Sequence, residues 1–84
     1  MFARLRFPVF VDSVVFDFPE SSTAPLRAIL RDEQGTVCSS LNASIPKGAS
    51  SYHWRGLNDL PYGVYTLEYR HGEFEQSQRM VKRV

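Results

Sequence analysis

The chain has one cysteine, two histidines and no long apolar run. A single thiol, Cys38, forms no internal disulfide and lacks the Cys/His spacing of a zinc site. It leaves the redox compartment open and reads as a small apolar side chain buried in a strand. No stretch approaches the roughly 18 apolar residues of a membrane-spanning helix. Neither sign of charge dominates: ten Lys and Arg against nine Asp and Glu give a net charge of +1. That balance removes the general electrostatic case for nucleic acid or an anionic membrane as partner. The 84 residues fit one domain, 1–84, of modest stability.

What is present is a period of two, broken often by turn residues. Val14, Phe16 and Phe18 alternate with Ser13, Val15 and Asp17, which predicts a half-buried strand closed by Pro19 and the polar loop Glu20-Ser21-Ser22-Thr23-Ala24-Pro25. Leu26, Ala28 and Leu30 alternate with Arg27, Ile29 and Arg31 in a second strand. Asp32-Glu33-Gln34-Gly35 is a turn signal, and residues 36–41 return as the partner of a hairpin. Residues 50–54 form a fourth strand, with Tyr52 and Trp54 on one face. In residues 64–70, Tyr65, Leu67 and Tyr69 share one face and Val64, Thr66 and Glu68 the other. His71-Gly72 is a tight turn into a final strand, residues 74–84. No segment carries a capped 3.6 period. The prediction is an all-β, immunoglobulin-like antiparallel β-sandwich of six to seven strands, filled by aromatic side chains. Met80, Val81 and Val84 fit neither face of the last strand. A bulge would account for that, as would apolar surface left for a partner.

Few constellations suit chemistry. His53 points away from the Tyr52/Trp54 face and His71 sits in a turn; neither has a carboxylate or second histidine at ligand spacing. Asp12 with Asp17, or Asp32 with Glu33, could be paired as acid and base, but Asp32 and Glu33 occupy a hairpin turn that favours Asp for backbone hydrogen bonding. There is no Gly-x-Ser-x-Gly elbow and no phosphate loop after Gly56 or Gly63. No enzyme, cofactor or metal is expected. Tyr62, Tyr65, Tyr69, Trp54 and His53 could form a sugar-stacking platform, although the alternation assigns Trp54, Tyr65 and Tyr69 to the core and leaves Tyr62 as the exposed aromatic. Asn42-Ala43-Ser44 matches an N-glycosylation sequon.

Two features of the last third bear on function. Leu60, Pro61, Gly63 and Tyr65 form a turn scaffold: Pro fixes φ, Gly permits close approach, and Tyr65 is placed to act as a tyrosine corner. Gln78, Arg79, Met80, Val81, Lys82 and Arg83 form a basic terminal strand. It reads either as an edge protected by charge or as a recognition strand open to β-augmentation or weak self-association.

The order Phe7-Pro8-Val9-Phe10-Val11-Asp12-Ser13-Val14-Val15-Phe16, the hairpin with its Asp-x-x-Gly turn, Trp54-Arg55-Gly56, Leu60-Pro61-Tyr62-Gly63-Val64-Tyr65 and the ending Gln78-Arg79-Met80-Val81-Lys82-Arg83 resembles the C-terminal sorting domain of type IX secretion cargo proteins of Bacteroidetes. The family's leading Asn-Pro is replaced here by Val9-Phe10. The Trp-x-Gly and Pro-x-Gly-x-Tyr pattern is also similar to the immunoglobulin-like domain of the flagellar hook-capping protein. Asp12-Ser13-Val14 resembles an O-glycosylation acceptor of Bacteroidetes.

The resemblance implies a non-catalytic sorting signal behind an N-terminal cargo domain. Its partners would be the outer-membrane secretion translocon and the surface sortase machinery, with passage through the periplasm to the cell surface or medium. The segment Met1 to Val11 has two arginines before its apolar residues, but Asp12 breaks the run and no cleavage site follows; an exported domain without a signal peptide implies a piece of a longer protein. Gln78 to Val84 would be the recognised strand. Its removal from Met80 onward is expected to block export and leave most of the fold intact. The alternatives are a generic immunoglobulin-like interaction or spacer module of a surface protein, or a carbohydrate-binding module.

Overall fold

A computed structural model describes residues 3–18 and 23–83; the first two residues, the stretch 19–22 of the predicted polar loop and Val84 lie outside the described residues. The chain is all-β. Its strands are β1 (Arg4–Leu5), β2 (Val9–Phe10), β3 (Val14–Asp17), β4 (Leu26–Arg31), β5 (Val37–Ala43), β6 (Ser51–Trp54), β7 (Gly63–His71) and β8 (Phe74–Lys82). They form a three-stranded sheet in the order β1-β3-β6 and a five-stranded sheet in the order β2-β8-β7-β4-β5.

Alternation explains which face each strand buries. Val14 and Phe16 of β3, Leu26, Ala28 and Leu30 of β4, and Tyr65, Leu67 and Tyr69 of β7 all point into the space between the sheets and are buried. The Phe16 and Tyr69 rings meet edge to face across that space, 5.2 Å between centroids. Two loop residues, Ile45 and Leu57, also enter the core. Leu57 is held by its N–H donating to the Asp12 carbonyl at 3.1 Å.

The turns follow their residue types. The Asp32 carboxylate accepts from the N–H groups of Gln34 and Thr36, both at 2.9 Å, and so organises the β4–β5 turn. Gly72 has φ +62° in a two-residue loop between β7 and β8, where a glycine at the first central position fits a hairpin turn. That loop sets an unbroken register from His71↔Phe74 to Gly63↔Lys82.

The segment before β3, to which the alternation assigns no strand and which the resemblance joins to β3 as one opening strand from Phe7 to Phe16, forms two short strands instead. It begins as β1 beside β3, and Arg6 N–H still donates to Val15 O at 3.0 Å. The chain then changes sheets through Pro8 and runs as β2, parallel to β8. Counting β1 and β2 as one split strand gives seven strands among the described residues, in a two-sheet arrangement compatible with a β-sandwich; the parallel pair means the larger sheet is mixed rather than antiparallel throughout.

Two further expectations are corrected. Cys38 lies on β5 but is exposed: on this edge strand it is the residue that the pairing skips, between Val37 opposite Arg31 and Ser39 opposite Leu30. His71 is not a turn residue: it closes β7 on the inward face, 3% exposed, where its Nδ1 accepts the Ala3 N–H at 3.2 Å and its ring lies 5.0 Å from Phe18. The Tyr69 hydroxyl donates to Ala3 O at 3.2 Å, so β7 holds the start of the described chain by two side chains.

Candidate recognition surface

The turn scaffold and the terminal strand, widely spaced in sequence, occupy one end of the sandwich. Tyr65 Oη donates to Pro61 O at 2.7 Å, four residues upstream, and Leu60 N–H donates to Leu57 O at 3.2 Å. This is the geometry of a tyrosine corner. Burial pushes the Tyr65 hydroxyl above its ordinary pKa, so it stays a donor across the physiological range. Leu60 packs against the core, while Tyr62 stands out at 68% exposure. Gly63 then starts β7 at φ +144°, a conformation that an L side chain rarely adopts.

The hairpin register brings this corner against the end of β8: Gly63 lies opposite Lys82, Val64 opposite Val81 and Tyr65 opposite Met80. Lys82 is 3% exposed, a basic residue on the inward face. Its alkyl stem closes the end of the core, while Nζ donates to the Arg83 carbonyl at 2.9 Å and lies 5.9 Å from the Tyr62 ring centroid.

The six residues of the terminal strand therefore do not share a surface. Met80 is fully buried, Lys82 faces inward, and Gln78 is half-buried beside a cleft lined by Leu5, Tyr69, Phe74 and Gln76. Arg79, Val81 and Arg83 are exposed. No bulge occurs in β8; the register against β7 is continuous, and the apolar pattern that matched neither face resolves into Met80 inward and Val81 outward. The shift in register lies instead in the β4–β5 pairing, between Leu30 and Arg31.

The structure argues against the expectation that removal from Met80 onward leaves most of the fold intact. Met80 is part of the core, and β8 is not free at this end: Val81 N–H donates to Pro8 O and Arg83 N–H to Phe10 O, each at 2.9 Å. Only the upstream part of β8 has an open outer edge. With the N–H groups of Val81 and Arg83 pointing toward β2, strand alternation turns the backbone groups of Glu75, Ser77 and Arg79 the same way, where no strand lies beside them among the described residues.

The other sequence candidates are placed apart. His53 is exposed on β6 and Asp17 pairs with Arg6, whose guanidinium holds the Asp17 carboxyl below the usual carboxylate range. Trp54, Tyr65 and Tyr69 are buried, so the aromatic set presents no stacking face. Among the described residues, no three His, Cys, Asp or Glu side chains converge to hold a metal ion. Among the described residues no helix is long and apolar enough to cross a membrane. Val9 and Val64, which flank Val81 on the neighbouring strands, were missed in the sequence. The signal for Val64 was the two-residue loop at Gly72, which fixes the pairing; Val9 has none, because the parallel β2–β8 contact has no local turn.

Compared with known proteins, the chain matches no family model, and no curated protein is significantly similar to it.

Proposed function

We propose that this domain is a non-catalytic sorting signal of the type IX secretion kind, which directs an N-terminal cargo across an outer membrane. The observation that carries the reading is the construction of the terminal strand. Met80 and Lys82 root it in the core while Arg79, Val81 and Arg83 stand outward, outside every ion pair found among the described residues. A strand that is both structural and displayed lets a receptor read the folded state and the strand's outward side chains together. The partners in this proposal are the outer-membrane translocon and a surface sortase, and the route runs through the periplasm to the surface or medium.

The carbohydrate-binding alternative is weakened by the burial of Trp54, Tyr65 and Tyr69. The spacer alternative is separated by secretion. Residues 1–84 are fused behind a signal peptide and a fluorescent reporter, in a bacterium with an active type IX system and in its translocon-null strain. Reporter on the surface or in the medium, only where the translocon is present, is the expected result. Reporter retained in the periplasm of both strains, with the domain folded, rejects the sorting reading in favour of a spacer.

A further inference from the structure

The exposed apolar residues are not scattered. Of the exposed large hydrophobics Phe7, Val9, Val11, Val37, Tyr62 and Val81, three lie within residues 7–11, on and beside β2, and a fourth is on β8. Val9 pairs with Val81 in the parallel contact and Val64 pairs with Val81 in the hairpin. Their neighbours Phe10, Tyr65, Met80 and Lys82 are all buried. Alternation therefore lines up Val9, Val81 and Val64 as one row across three strands on the outer face of the larger sheet. Val9 and Val81 are 40% and 37% exposed, and Val9 lies on the edge strand, where natural proteins ordinarily place charge. The next row toward the hairpin loop holds Arg79, Thr66 and Arg31. Arg83 follows Val81 at the other side. Arg31 is engaged with Glu68 at 3.0 Å, whereas Arg79 and Arg83 enter none of the ion pairs among the described residues.

We infer that this valine row, framed by Arg79 and Arg83, is a docking surface for a protein of the export machinery that offers an apolar stripe bordered by carboxylates. The inference rests on the sorting reading and names the chemistry of its receptor. Charge complementarity selects the occupant. A second copy docked by a two-fold lying along or across the row would set arginine against arginine, with no carboxylate in the row to relieve it. A mixed surface of apolar centre and arginine rim is the composition expected of a protein interface.

The test uses the same secretion assay with three variants of the whole domain. Val9→Glu with Val81→Glu charges the row; Arg79→Glu with Arg83→Glu reverses the frame; Ser40→Glu, on β5, is the control. Thermal melts establish that each is folded. The expected result is export reduced roughly tenfold or more for both surface variants and unchanged for the control. Folded surface variants exported like the parent domain overturn the docking surface and leave the sorting reading standing. A parent domain that is not exported removes the sorting reading and this occupant with it. Sedimentation of the parent domain is expected to show a monomer; a dimer abolished by the valine substitutions overturns the inference by making a second copy the occupant.

Discussion

At the residue scale, two side chains hold the ends of β7 and each gives a measurable prediction. Tyr65→Phe removes the hydroxyl bond to Pro61 O and leaves the ring in the core. It is expected to cost about 1 kcal/mol, read as a lower urea midpoint with an unchanged m-value. His71 works through its neutral form. Burial holds its pKa below the ordinary 6.5, because the imidazolium would have to exist in the packed interior. Nδ1 accepts from Ala3 N–H, and protonation would replace that acceptor with a donor facing a donor. The unfolded chain therefore binds the proton more readily than the folded one. Stability is full above the unfolded pKa and falls as pH drops through and below it. The urea midpoint of the parent domain is expected to decline from pH 7.5 to about 5, and a His71→Leu variant to show a flatter profile. The buried role of His71 was not legible because His-Gly reads locally as a turn. What buries it is contact with Ala3 and Phe18, far away in sequence.

At the element scale, the strands with a strict period of two are the ones that appear where the sequence places them. β4 occupies Leu26–Arg31 and β7 Gly63–His71, because alternation and flanking turn residues act over six to nine positions. β1 and β2 are two residues each, too short to carry a period, and their existence depends on partners supplied by β3 and β8. Ile45 and Leu57 were missed for a related reason: they are single apolar residues in loops, drawn into the core without a pattern of their own. β8 shows what its pairing implies. Met80→Ala is expected to destabilise by about 2–5 kcal/mol, the range for a fully buried methionine. A chain ending before Met80 loses that core residue, Lys82 and the whole contact with β2. It is expected to give no cooperative melt. Export assays on such a truncation would report unfolding rather than a lost receptor contact. Point substitutions at Arg79, Val81 and Arg83 are the informative changes.

At the scale of the whole molecule, the sandwich class was readable from turn spacing and the aromatic content of alternating strands. The candidate surface was readable only in part. The basic ending was visible as a string of residues, but the string mixes inward and outward positions, and the row that completes it comes from β2 and β7. The arrangement also has a mechanical consequence. β2 runs toward the end of the chain in the same direction as β8 beside it. A force applied between the first and last described residues pulls these two strands past each other along their length. The Pro8–Val81 and Phe10–Arg83 bonds then resist in shear and must break together, instead of opening one at a time like a zip. Replacing Arg83 with proline deletes one of those two donors. Single-molecule pulling from the two ends is expected to show a lower peak force for that variant. A domain towed by one end while the other is held would then be released by tension only after β2 has slid off β8.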